Sequence, residues 1–229
     1  MATLPVANAI PDTKHANGQR YLYVFFSSTP FKTGRFIRFL TNTRYNHVSV
    51  SVDPELKELY SFARYYRNTP FYAGFVRESG TRFLCGGEVS NVKICALPIT
   101  EEQYLYAKSV LADMRETAPN YIYNFLSAIV YPLHMRVRLP NAYTCVEFAV
   151  DFLIKVAAHP LPDPLHNYSI SEFEALLSDY TVYSGMSPLS VEGDLFERHQ
   201  NFANATILTV KANIQLLKSF LKYKLFLKT

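Results

Sequence analysis

Ala142-Tyr143-Thr144-Cys145-Val146-Glu147-Phe148-Ala149-Val150-Asp151-Phe152-Leu153 places a cysteine on the first turn of a helix. Pro140 and Asn141 break the segment before it. Thr144 and Glu147 have the Thr-x-x-Glu spacing of a capping box, with Thr144 as N-cap and Glu147 at the third helical position. Val146, Ala149, Val150 and Leu153 follow at i, i+3, i+4 and i+7, which is one buried helical face. Cys145 therefore takes the first helical position, where unpaired backbone N–H groups and the positive end of the helix dipole stabilise a thiolate. Those N–H groups are also donors for an oxyanion.

A second stretch supplies a base. Tyr45-Asn46-His47-Val48-Ser49-Val50-Ser51-Val52 alternates with period two. Val48, Val50 and Val52 point one way, while His47, Ser49 and Ser51 point the other. The pattern predicts a strand with a core-directed valine face and a histidine that looks toward a polar surface or cleft. Taken singly, a cysteine is most often a small buried hydrophobe and a strand histidine a satisfied group. Cys85, beside Gly86-Gly87 in an expected turn, and Cys95, inside the apolar run Val92–Leu97, fit that description and read as structural. Cys145 and His47 differ in context, and they stand in the order His before Cys.

Three segments carry a resemblance: Arg44–Ser51, Leu59-Tyr60-Ser61-Phe62-Ala63-Arg64 and Gly74-Phe75-Val76-Arg77-Glu78. Together with Tyr121-Ile122-Tyr123-Asn124 and the Cys145 helix, they resemble the circularly permuted branch of the NlpC/P60 papain-like superfamily. That branch includes YiiX-like and lecithin–retinol-acyltransferase-like proteins, and the likeness spans roughly residues 20 to 185. It implies an α+β fold, a small antiparallel sheet packed with helices, with the histidine strand ahead of the cysteine helix. It also implies a Cys145–His47 pair whose imidazole is oriented by a third polar residue, usually on the strand after the histidine strand. In Glu58–Arg64 the only small polar residue at mid-strand is Ser61. A serine stabilises an imidazolium less than a carboxylate does; Glu78 is the alternative from elsewhere in the chain.

The chemistry implied is covalent acyl transfer, with Cys145 as nucleophile and His47 as base. The Cys145 N–H, Tyr45 and Thr144 are candidates for the oxyanion or substrate contacts. The expected activity is that of a cysteine amidase or peptidase, with acyl transfer to another acceptor and a binding protein that keeps the fold as the alternatives. The resemblance implies substrates such as peptidoglycan-type peptides, isopeptide or γ-glutamyl bonds, or lipid esters and amides.

Composition sets the outer limits. The chain has 229 residues, 49% of them hydrophobic, with 17 Tyr, 17 Phe and no Trp. That suffices for one well-filled core with an appended element. An odd cysteine count and no apolar leader in Met1–Arg20 point to a reducing, cytoplasmic setting. The expected organisation is a flexible lead-in over 1–19, one domain over 20–185 and an extension over 186–229. His134, His159, His166 and His199 lack metal-ligand spacing, and Gly86-Gly87 is too short for a phosphate loop. No metal or cofactor is expected, and nothing has a nucleic-acid footprint.

Strands are expected at 21–26, 45–52, 58–64, 74–77, 88–98 and 180–184. Helices are expected at 33–40, 101–115, 124–131, from Cys145 to a stop before His159-Pro160, and at 170–178. Net charge is +4, and from residue 200 onward there are five lysines (211, 218, 222, 224 and 228) and no acid. Ile207, Val210, Ile214, Leu217 and Leu221 recur at helical spacing, with Lys211, Lys218 and Lys222 on another face. Such a basic amphipathic helix suits an anionic membrane surface or a partner. Phe220, Leu225, Phe226 and Leu227 widen the apolar arc, which favours packing on the domain or self-association.

Overall fold

From Leu22 to Ser27 every residue of β1 (Arg20–Ser28) is buried, so this strand must be covered on both faces. In the computed structural model it lies inside a six-stranded sheet that is antiparallel throughout. The other members are β2 (His47–Ser51), β3 (Tyr60–Arg64), β4 (Ala73–Arg77), β7 (Asn91–Ile99) and β10 (Thr181–Met186), in the order β10-β7-β1-β2-β3-β4. The structure describes residues 18–29, 43–69, 71–85, 88–131, 135–158, 161, 163, 166–189 and 200–226. The helix expected at 33–40, the lead-in as far as residue 17, Gly86-Gly87 and His134, His159 and His199 lie outside them.

One sheet face carries the helices. Leu22, Val24, Phe26, Val48, Val50, Tyr60 and Phe62 share a core with α1 (Glu101–Glu116) and α3 (Cys145–Val156). Both helices begin in capping boxes, Thr100 with Gln103 and, as its sequence spacing predicts, Thr144 with Glu147. α3 ends where Ala157 turns left-handed at φ 53° and returns its N–H to Ile154 and Leu153 carbonyls. Between them α2 (Phe125–Val130) is capped by Asn124, whose Oδ1 accepts from the Ser127 N–H at 3.1 Å.

The opposite face is also covered. Tyr23, Phe25, Leu59, Val92 and Ile94 pack with Leu56 and Phe83 in a second apolar layer. As a result Ser49, Ser51 and Ser61 are fully buried rather than turned toward a polar surface or cleft. Alternation separates two faces but does not say which of them meets water.

Several boundaries differ from the sequence reading. Ser90 divides the expected strand 88–98, leaving β6 (Glu88–Val89) to pair with β5 (Leu84–Cys85), so Cys85 sits on a strand and not in a turn. α4 (Ile170–Leu176) stops short of Ser178 because a 3-10 turn over Ser178–Tyr180 leads into β10. A short parallel pair, β8 (Ile122–Tyr123) with β9 (Ala142–Tyr143), leaves no trace in the hydrophobic pattern. It sets Tyr123 beside Tyr143 and feeds the chain straight into Thr144. Gly74 permits the close approach of this region to β4: a Cβ there would stand 2.6 Å from the Tyr121 carbonyl oxygen. The last element, α5 (Phe202–Phe226), rests on the β8–β9 region through Leu216 and Phe220.

Candidate active site

Cys145 occupies the first turn of α3, and the local chemistry there is the capping box. Thr144 Oγ1 accepts from the Glu147 N–H at 3.3 Å, and Glu147 Oε2 accepts from the Thr144 N–H at 2.7 Å. The Phe148 N–H goes to the Thr144 carbonyl. At the first two helical positions the Cys145 and Val146 N–H groups have no acceptor within the helix, which leaves two first-turn donors beside the thiol. Glu147 is held a second time by Arg136, whose Nε lies 3.0 Å from Glu147 Oε1 and whose Nη2 lies 3.1 Å from Asp151 Oδ2. Asn167 in turn donates to the Met135 carbonyl, fastening the segment that carries Arg136. The helix start is therefore rigid.

His47 begins β2, on the strand next to β1 in the middle of the sheet. Its Nε2 lies 2.6 Å from Glu78 Oε1, and Cys145 adds to the forces that favour the charged ring. With Nε2 engaged by Glu78, Nδ1 is the nitrogen left for the thiol. Glu78 directly follows β4. The β3–β4 register sets Arg77 opposite Tyr60, and the Glu78 N–H donates to the Leu59 carbonyl at 2.7 Å. Its carboxylate is almost completely buried and heavily solvated by protein. Ser61 Oγ donates to Oε1, Ser49 Oγ stands 3.3 Å from the same oxygen, and Arg82 Nε lies 3.0 Å from Oε2. Arg82 is itself buried and donates to the Arg64 carbonyl.

These contacts set the charges. Burial alone would force a proton off His47. The Glu78 carboxylate and the influence of Cys145 outweigh it and raise the imidazole from 6.5 to about 10. Burial would likewise protonate Glu78, but Arg82 and His47 hold its carboxyl down, from 4.5 to about 2. At neutral pH the site is thus a buried Arg82⁺–Glu78⁻–His47⁺ chain ending at Cys145.

The residues singled out in the sequence fall into three groups. His47 and Cys145 come together. Ser61 is present but acts on Glu78 and not on His47, because its β3 position faces the buried carboxylate. Tyr45 and Thr144 have other surroundings. Tyr45 is buried in the helix-side core against Phe26, and its hydroxyl has no hydrogen-bond partner among the described residues. The Thr144 hydroxyl is committed to Glu147. Two tyrosines not assigned a role from the sequence feel the charge at Cys145. Burial, with the charges of Cys145 and Glu147, pushes Tyr123 well above its ordinary range. Tyr131, raised chiefly by burial, also feels the Cys145 charge. The parallel β8–β9 pairing, a contact between segments apart in sequence, sets Tyr123 beside Tyr143, two residues before Cys145.

Cys95 is different in kind. Burial pushes the Cys95 thiol up to about 11, and its sulfur lies 3.9 Å from Thr181 Oγ1. Among the described residues no group of three His, Cys, Asp or Glu side chains is placed to hold a metal ion. His166 pairs with Glu172 at 3.4 Å. Comparison with family models, with curated proteins and with solved structures finds no match to this chain.

Proposed function

We propose that the protein is a cysteine-dependent hydrolase of amide or peptide bonds, with Cys145 as nucleophile, His47 as proton carrier and Glu78 as the residue that orients and charges His47. The observation that carries this reading is the buried Arg82–Glu78–His47 chain, with Cys145 at a helix N-terminus acting on the same imidazole. The order of a histidine strand before a cysteine helix, with an antiparallel sheet beneath, supports a permuted NlpC/P60 papain-like architecture. On that reading Glu78 takes the third position from just beyond β4.

In the thiolate–imidazolium form, Cys145 Sγ attacks the carbonyl carbon, forming an S–C bond as the carbonyl π pair moves to oxygen. The Cys145 and Val146 N–H groups receive that oxyanion. The oxyanion collapses, the C–N bond breaks, and His47 Nδ1 gives its proton to the departing amine, leaving a thioester and a neutral imidazole. Water then gives a proton to His47 as it attacks the thioester. Thiolate leaves, and acid, amine and the starting ion pair result.

The test is modification of the native protein with iodoacetamide between pH 5 and 9, read by mass spectrometry at each cysteine. Cys145 should be labelled at low pH and lose that reactivity in His47→Ala, while Cys95 stays inert. Equal, slow labelling that ignores His47 would refute the activated pair.

The burial of Cys145, 5% exposed, favours a second reading. A thioester shielded from water survives until another nucleophile arrives, which is acyl transfer. Product analysis with and without an added amine acceptor separates the two.

A further inference from the structure

α5 has two apolar faces, and the domain covers only one. Leu216 and Phe220 pack onto Ile122, Leu139 and Ala142. Ile207, Val210, Ile214, Leu217 and Leu221 alternate at spacings of three and four residues, so they form one stripe along the helix. Each of the five is about half exposed. Ile207 lies about half a turn round from Leu216 at 3.6 residues per turn, so the stripe looks away from the domain. Single exposed aliphatics are ordinary, whereas a continuous row of this length marks a contact surface.

The charges around the stripe identify what it contacts. Lys211, Lys218 and Lys222 lie on one flank, within about 60° of the direction of Ile207. From residue 200 to 229 the chain has five lysines and no acid. A second copy laid against this stripe would bring two lysine rows together with no carboxylate on either helix to pair with them. An anionic surface reverses that sign: the aliphatic row sinks into the headgroup boundary while the lysine stems reach up to the charged layer. None of the described helices is long and apolar enough to cross a membrane, so α5 would lie in the interface and not through it.

We propose that α5 is an interfacial helix that docks the protein on an anionic lipid surface through Ile207, Val210, Ile214, Leu217 and Leu221, with Lys211, Lys218 and Lys222 beside them. The inference stands on α5 alone and holds whether or not Cys145 is catalytic. Its consequence for the candidate site is positional. α5 rests on β8 and β9, and β9 runs directly into Thr144 and Cys145, so docking carries the cysteine helix to the surface with it.

The full-length protein is sedimented with vesicles of phosphatidylcholine alone and of phosphatidylcholine mixed with phosphatidylserine, and its mass in solution is measured by light scattering. Binding should require phosphatidylserine and weaken as salt rises. Ile214→Glu/Leu217→Glu should abolish it, and Lys211→Gln/Lys218→Gln/Lys222→Gln should weaken it roughly a hundredfold, given the strength of lysine attraction to such surfaces. Circular dichroism matching the parent shows that the variants are folded. Failure to bind either vesicle, or equal binding by parent and Ile214→Glu/Leu217→Glu, overturns the proposal. A dimer in solution that the same double variant dissociates, with no vesicle binding, overturns it as well and gives the stripe to a second copy.

Discussion

Glu78→Gln is nearly isosteric, and it should turn His47 from a resident imidazolium into a neutral ring at pH 7. The rise of His47 from 6.5 to about 10 corresponds to roughly 5 kcal/mol of preference for the charged ring, at 1.36 kcal/mol per pH unit. Burial opposes that preference, so the carboxylate is what sustains it. With glutamine in place, burial and the influence of Cys145 are left to compete, and the imidazole should titrate at or below its ordinary 6.5. The assay is a pH titration of the His47 imidazole nitrogens by NMR, together with the rate of Cys145 alkylation at pH 6. The variant also leaves Arg82 buried opposite a neutral amide, which should cost on the order of 3–5 kcal/mol of stability. That loss has a pH signature. The raised His47 contributes fully below pH 6.5 and loses its contribution as pH climbs through about 10; the lowered Glu78 contributes fully above pH 4.5 and loses its contribution as pH falls through about 2. The stability gap between parent and Glu78→Gln should therefore be widest between pH 4.5 and 6.5. A His47 that still titrates above pH 9 in Glu78→Gln would refute the reasoning.

Three further outcomes follow from the same contacts. Ser61→Ala removes one donor from Glu78 and none from His47, so Cys145 alkylation should slow only modestly, whereas loss as complete as in His47→Ala would make Ser61 the direct orienter. Thr144→Ala takes the oxygen that accepts the Glu147 N–H and should lower stability by about 1 kcal/mol in chemical denaturation; an unchanged midpoint would mean that Arg136 alone holds the helix start. Gly74→Ala sets a methyl group 2.6 Å from the Tyr121 carbonyl oxygen, a backbone atom that cannot swing aside. It should cost about 1–3 kcal/mol and loosen the β4–β8 region in hydrogen exchange, and wild-type stability would contradict that packing.

Elements whose causes are local could be read from the residues alone. Thr144 and Glu147 are three residues apart, and a capping box needs nothing else, so the first-turn position of Cys145 was legible before any fold. The alternation at 47–52 likewise gave β2 and the shared side of His47 and Ser49. Tertiary structure decided what depends on distant partners. Whether the serine side met water turned on Leu56 and Phe83 closing over it. Glu78 lies just past a strand end, where no periodicity singles it out, and the β3–β4 register delivers it to His47. The Tyr123 position follows from a two-residue parallel pairing between remote segments. The stripe on α5 shows the same division: helical spacing grouped its residues, but only the seat of Leu216 and Phe220 on Ile122, Leu139 and Ala142 decided which apolar face stays outside. Local hydrogen bonding and side-chain period are written along the chain, while burial and charge pairing belong to the whole packed chain.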